Sequence, residues 1–299
     1  MVADTGVTCP ACGARAREAF RVGDRNRRLS AAEFTYRRCP DCGLVFLRPV
    51  PDDLGEYYRG GYYGGPQTRE ELAAGSVHER YKLDLLRPFV PYGRLIELGG
   101  AMGGFAYQAQ QAGYDVTVVE MDPDSCRFLE EVVGVRAVQS SDPAAALDEL
   151  DGDADAIAAW HVIEHLPDPW SALEASARKL RPGGVLVLAA PDPGSVQARL
   201  FGRGWTHLDA PRHLQLIPRE LLLKKARASG LEPVLVTTRD EGGLFWNSFG
   251  WQQSLTNRVR GPRAKWLLMW TGRALSLAAR PLERGADRGA TYTVVFRRT

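Results

Sequence analysis

Arg94-Leu-Ile-Glu-Leu-Gly-Gly-Ala-Met-Gly-Gly-Phe-Ala106 runs from an apolar strand through a glycine-rich turn into the start of a helix. Strand, tight turn and helix in that order open a βαβ unit. A second apolar run, Asp115 to Glu120, ends on a carboxylate 23 positions after Glu97. Further strands are predicted at 135–139, 154–160, 185–190, 233–237 and 291–297, with helical segments between most of them. Upstream, the apolar positions of 79–91 suit an amphipathic helix ended by Pro91. This alternation predicts an α/β fold with a doubly wound, mostly parallel, Rossmann-like sheet. Ligands of such sheets sit at the carboxyl ends of the strands.

The turn Gly99-x-Ala101-x-x-Gly104 loosely fits the glycine pattern of dinucleotide sites. Its neighbours point instead to S-adenosylmethionine (SAM). Glu97 stands inside the first strand, where a carboxylate helps hold a cationic amino acid moiety and would repel a pyrophosphate. Glu120 can accept from both ribose hydroxyls. Trp160-His-Val-Ile-Glu-His165 follows the fourth strand, and Leu180-Arg-Pro-Gly-Gly184 precedes the fifth. With Glu97-x-Gly-x-Ala-x-Gly103, Glu120, His161-Val-Ile-Glu-His165 and Leu-Arg-Pro-Gly-Gly184 together, the chain resembles the class I SAM-dependent methyltransferases. The likeness runs over about 78–240 and the last strand, with alanine at 101 where that family usually has glycine. It implies a seven-stranded sheet with an antiparallel last strand. It also implies cofactor contacts at Glu97, Gly99, Gly100, Ala101, Gly103, Glu120, Met121, Ser141, Asp142 and His161. Ser-Ser-Asp-Pro at 140–143 reads equally as a helix cap.

Ahead of this domain, Cys9-Pro-Ala-Cys12-Gly and Cys39-Pro-Asp-Cys42-Gly are separated by 26 residues. Zinc takes four soft ligands at tetrahedral vertices, and two such knuckles supply them. Residues 34–38 and 44–47 flank the second knuckle as a hairpin, so 1–50 resembles a zinc ribbon holding a structural zinc through Cys9, Cys12, Cys39 and Cys42. Residues 51–77 form a connector with Tyr57, Tyr58, Tyr62 and Tyr63, which either pack on the next domain or place phenols near a substrate. Ribbon, tyrosine link and main domain together are similar to the front half of nucleotide-sugar C-methyltransferases. The further C-terminal domain of that family has no counterpart in this sequence.

The 299 residues carry a net charge of +2, with 44% hydrophobic and 25% charged residues, which excludes disordered and fibrous classes. Charge is uneven: 97–170 hold fifteen carboxylates against two arginines, and 251–299 hold ten basic residues against two acidic. An acidic central domain argues against nucleic acid as partner, since phosphate binding needs clustered cations. The start of the chain has no apolar targeting segment, and a cytoplasmic location is expected.

Methyl transfer needs alignment and, for a hydroxyl or acidic carbon, a proton acceptor. His213 in the loop Trp205-Thr-His207-Leu-Asp209-Ala-Pro-Arg212-His213 is the expected base, oriented by Asp209. A substrate clamp made by the same loop is the alternative. His165 is a third catalytic candidate, or a turn-forming partner of Glu164. Residues 241–289 form a helical insertion before the last strand, so the main domain is 78–240 with 290–299. The insertion is read as a lid, a homodimer contact or, through the basic and apolar faces of 264–280, a peripheral membrane surface. A small or medium-sized acceptor, methylated on oxygen as a secondary metabolite or glycan, is expected. The rivals are carbon methylation of a sugar-like substrate, a nucleic-acid methyltransferase using the ribbon, and an inactive cofactor-binding or scaffold protein.

Overall fold

The two cysteine knuckles close in the same way. Gly13 and Gly43 donate their amides to the Cys9 and Cys39 carbonyls at 2.9 and 3.0 Å, turning the chain back at φ 74° and 76°. Around them lie three antiparallel strands, β1 (Arg17–Gly23), β2 (Glu33–Arg38) and β3 (Val45–Leu47), with Tyr36 opposite Leu47 and Arg38 opposite Val45. The computed structural model describes residues 6–58, 64–285 and 287–299, so Tyr62 and Tyr63 lie outside the described residues.

Helices α1 (Arg69–Gly75) and α2 (Arg80–Leu86) follow. The predicted 79–91 helix is thus shorter, because Pro88 lacks an amide donor and a 3-10 turn occupies Ser76–Glu79. The main domain then runs β4 (Gly93–Leu98), α3 (Gly104–Gln111), β5 (Tyr114–Glu120), α4 (Pro123–Phe128), β6 (Arg136–Gln139), α5 (Pro143–Glu149) and β7 (Ala154–Trp160). It continues with α6 (Pro169–Lys179), β8 (Leu180–Pro191), α7 (Val196–Phe201), β9 (Gln215–Leu216), α8 (Arg219–Ala228) and β10 (Leu231–Thr237). A helical hairpin, α9 (Glu241–Thr256) and α10 (Pro262–Gly285), precedes β11 (Thr291–Arg298). Three Asp-Pro pairs start α4, α5 and α6: Asp122, Asp142 and Asp168 accept from amides of the first turn, and the proline takes a position that needs no donor.

The seven-stranded sheet has the order β10-β11-β8-β7-β4-β5-β6, with β11 antiparallel to both neighbours. Successive side chains of β4 enter opposite cores. Leu95 packs with Phe105, Val118 and Val185, while Ile96 packs with Ile157, Leu188 and Phe296. This second core also contains Cys9, Cys39, Leu44 and Phe46. In addition, β9 from the loop after β8 pairs with β3 as the fourth strand of the ribbon sheet. The division drawn at residue 50 is therefore not a division in packing: ribbon and main domain share a core and a sheet.

A buried ion cluster fastens the same junction. Arg212 is fully buried, and its Nη2 donates to Asp24 Oδ1 of the ribbon at 2.8 Å and to Asp209 Oδ1 at 2.7 Å. Asp24 also accepts from the amides of Arg27 and Leu29. Burial alone would raise the Asp24 carboxyl, but these donors hold it below its usual range.

The hairpin 241–289 inverts the usual amphipathic arrangement. Gly272, Ser276 and Glu283 of α10 are buried, and Glu283 accepts from Asn247 and from the Trp251 indole of α9 at 2.7 and 2.8 Å. A methyl at Gly272 would stand 2.6 Å from the Gln252 Cα, so only glycine lets the helices meet there. Trp266, Leu267, Trp270, Leu277 and Leu282 point to solvent. Among the described residues, no helix is long and apolar enough to cross a membrane.

Removing the guanidinium would leave the buried Asp24 carboxylate and the partly buried Asp209 carboxylate without a counter-ion. Arg212→Ala is expected to lower stability by about 3–5 kcal/mol in urea unfolding, and lysine should restore little because it lacks the planar fork. A loss below about 1 kcal/mol would contradict the role given to this cluster.

Candidate active site

A cavity of about 870 Å³ opens at the carboxyl ends of β4, β5 and β7. Its floor is the glycine turn. Gly103 adopts φ 71°, and a side chain there would meet Leu129 and Val133 at 2.8 Å. Ala101 holds φ 45° while its amide donates to Glu120 Oε2 at 2.8 Å. The other oxygen of Glu120 accepts from the amides of Met121 and Asp122 at 2.7 and 3.0 Å. Three backbone donors thus fix the direction of the carboxylate that the sequence assigns to the ribose.

Glu97 is 3% exposed, and its Oε2 has no hydrogen-bond partner. Burial pushes its carboxyl up to about 8; the Lys82 ammonium opposes the shift, and Glu79 and Glu120 add to it. Lys82 is itself paired with Glu79 and lies 5.1 Å from the Trp160 ring centroid. Even with Glu97 protonated, Glu79 and Glu120 outnumber the one ammonium, so this wall is net negative and favours a cationic ligand.

Among the expected cofactor residues, Glu97, Gly99, Gly100, Ala101, Glu120, Met121, Ser141 and His161 line the cavity. Gly103 lies behind the wall. Asp142 is exposed between the lining residues Ser141 and Pro143, and its Oδ1 caps α5 by accepting from Ala144 and Ala145.

The acceptor-side wall differs from the sequence expectation. His165 lines the cavity, whereas His213 sits behind it with the ring centroids 4.6 Å apart. His213 Nδ1 donates to the His207 carbonyl at 2.8 Å, and His165 Nδ1 donates to the Arg212 carbonyl at 3.0 Å. The expected Asp209–His213 side-chain pair is not formed. Arg212, three residues from Asp209, offers a charged bidentate fork and captures that carboxylate, with Asn26 as a further donor. Burial and His213 drive His165 down to about 4. Glu164, 1% exposed, is held at about 2: burial opposes this, and His161, His213 and His165 outweigh it. His207 is bound instead to the Trp246 carbonyl at 3.0 Å.

Of the tyrosines, Tyr57 is buried against Phe34, while Tyr58 lines the cavity with its hydroxyl 2.9 Å from His165 Nδ1. Among the described residues, none of 241–289 lines the cavity, and Trp246 of the hairpin packs on the lining residue His161 at 5.3 Å. Sequence reasoning missed Glu79, Lys82 and Asp24. The i,i+3 spacing of Glu79 and Lys82 on an amphipathic segment was the available signal; nothing local marks Asp24.

The ribbon thiols also converge. Cys9 and Cys42 lie 3.6 Å apart, Cys12 and Cys39 3.5 Å apart, and all four fall within 4.8 Å. A tetrahedron with Zn–S bonds of about 2.3 Å has edges of about 3.8 Å, so the donor set fits that ion.

The methyltransferase-domain family matches residues 69–236. A ubiquinone biosynthesis O-methyltransferase of Cereibacter sphaeroides is 27% identical over 203 residues, covering 63% of this chain and 76% of that protein. Its counterpart in Ruegeria pomeroyi is 28% identical over 181 residues, covering 58% and 71%. In fold, the chain is similar to a SAM-dependent methyltransferase of Archaeoglobus fulgidus, with a TM-score of 0.53 and 19% identity over 80% of this chain and 97% of that one. A sarcosine dimethylglycine methyltransferase structure from Galdieria sulphuraria gives 0.53 and 17%, over 83% and 99%. Sheet order, glycine turn, acidic cavity and family match agree, and the chain belongs to the methyltransferase-domain family as a SAM-dependent methyltransferase.

Proposed function

We propose that this enzyme methylates an oxygen of a small or medium-sized acceptor held against the His161–His165 wall. The observation that carries the cofactor side is the buried, unpartnered Glu97 carboxylate at the floor of a net-negative cavity. Glu97 would face the cationic amino acid moiety, Glu120 would accept from the ribose hydroxyls, and Met121 would flank the base. SAM supplies a methyl group on a sulfonium leaving group. Oxygen is favoured because the related ubiquinone enzymes are O-methyltransferases by name. Glu79, Glu97 and Glu120 on the wall disfavour a polyanion such as nucleic acid. Proton acceptance, expected of His213, falls in this reading to the wall around His165. The four thiolates hold a structural zinc.

Because Glu97 is ionised only above about 8 without ligand, cation binding must expel its proton. Affinity for the demethylated cofactor should therefore rise from pH 6 to 8, by at most about tenfold per unit, and Glu97→Gln should flatten this slope. Calorimetry across that range decides it, and a wild-type affinity falling with pH would contradict the assignment. Transfer itself is read as a 14 Da mass gain on hydroxylated acceptors.

Native mass spectrometry should find one zinc per chain. Since the ribbon shares the core of the sheet, chelating that zinc should lower Tm by about 5 °C or more and reduce methyl transfer with it. A metal-free chain with unchanged melting would exclude a structural zinc.

A further inference from the structure

We infer that the turn behind the ribbon builds the acceptor subsite, with Tyr58 positioning the acceptor's hydroxyl group. Leu54, Gly55 and Tyr58 of the 3-10 turn Leu54–Tyr58 line the cavity together with His165, Leu166 and Pro167. His165 to Pro167 follow β7, whereas Glu120 and Met121 stand at the end of β5, and β4 lies between those strands in the sheet. Two strand spacings, about 10 Å, therefore separate this end of the cavity from the ribose carboxylate. A cofactor laid from Glu120 to Glu97 leaves the β7 end for the molecule that receives the methyl group.

The ribbon holds this turn in place. Tyr57 is buried and packs edge-on against Phe34 of β2, with ring centroids 5.6 Å apart, and its carbonyl accepts from Arg212 Nη1 at 3.5 Å. Tyr58, next in the chain, lines the cavity. Its hydroxyl donates to the Arg212 carbonyl at 3.3 Å and lies 2.9 Å from His165 Nδ1, which donates to the same carbonyl. A phenol oxygen accepts as well as donates, so a hydroxyl arriving in the cavity can donate to it and turn a lone pair toward the methyl group. With its own proton on the carbonyl, Tyr58 directs that hydroxyl and takes no proton from it.

The polar edge it presents is uncharged at pH 7 on the histidine side, since burial and His213 drive His165 down to about 4. Leu54, Leu166, Pro167 and the Tyr58 ring surround it on the cavity wall. An apolar border around a neutral hydrogen-bonding pair fits a hydroxyl carried on an apolar body. This assignment rests on the oxygen-methylation reading.

2-Naphthol and naphthalene differ by one hydroxyl and serve as probes on the full, zinc-loaded chain with the demethylated cofactor bound. Equilibrium dialysis should show the wild type favouring 2-naphthol. Tyr58→Phe, which keeps the ring, should shift that preference about tenfold toward naphthalene, with Tm and cofactor affinity unchanged. A preference left unchanged in Tyr58→Phe overturns the role of Tyr58, and a wild type that binds no 2-naphthol at about 1 mM overturns the subsite. The two readings fail separately. A chain that ignores 2-naphthol yet methylates the oxygen of another acceptor sinks the subsite alone. One that holds 2-naphthol through Tyr58 and places the methyl group on carbon supports the subsite and sinks the oxygen reading.

Discussion

The buried contact between Arg212 and the carboxylates of Asp24 and Asp209 ties together parts of the chain that are nearly two hundred residues apart. An ion cluster without solvent is favourable only when its geometry is fully satisfied, and here backbone amides and Asn26 fill the remaining acceptor positions. The cluster holds the loop after β8 against the ribbon, where Tyr36 donates to the His213 carbonyl at 2.7 Å. The Arg212 and His207 carbonyls in turn orient His165 and His213. The ribbon therefore acts on the cavity at one remove, as the frame for one of its walls.

The opposite wall depends on the sheet. Parallel strands bring Glu97 and Glu120 to neighbouring strand ends, and β4 pairs Glu97 with Val118 of β5. Both carboxylates are buried, yet their surroundings differ. Glu120 is saturated with amide donors, whereas Glu97 has one oxygen bare. A directed anion and an under-solvated carboxyl that a cation would ionise suit a ligand with hydroxyls at one end and a positive charge at the other.

The helical hairpin stands apart from this chemistry. Its buried polar pins, Glu283 with Asn247 and Trp251, fix the two helices to each other, and Trp246 packs on His161 of the cavity wall. Its exposed Trp266 and Trp270 pack on each other, outside the core that the hairpin shares with the sheet.

The positions of the strands, the glycine turn, the acidic strand ends and the paired cysteine knuckles were legible in the sequence, because each depends on local periodicity or on spacing within a turn, while the antiparallel last strand followed from the family resemblance. Asp-Pro caps belong to the same class, the one at Asp142 among them. What only the tertiary structure decided were contacts between distant segments. Asp209 sits four residues before His213, and proximity in sequence suggested a pair; the fork of Arg212 and the side-chain amide of Asn26 took that carboxylate instead. The ribbon's fusion with the sheet, the retreat of His213 behind His165, and the outward apolar face of α10 are likewise invisible to periodicity. A helical pattern shows which residues share a face but not which face meets the protein, and a buried charge finds its partner only once the core has closed around it.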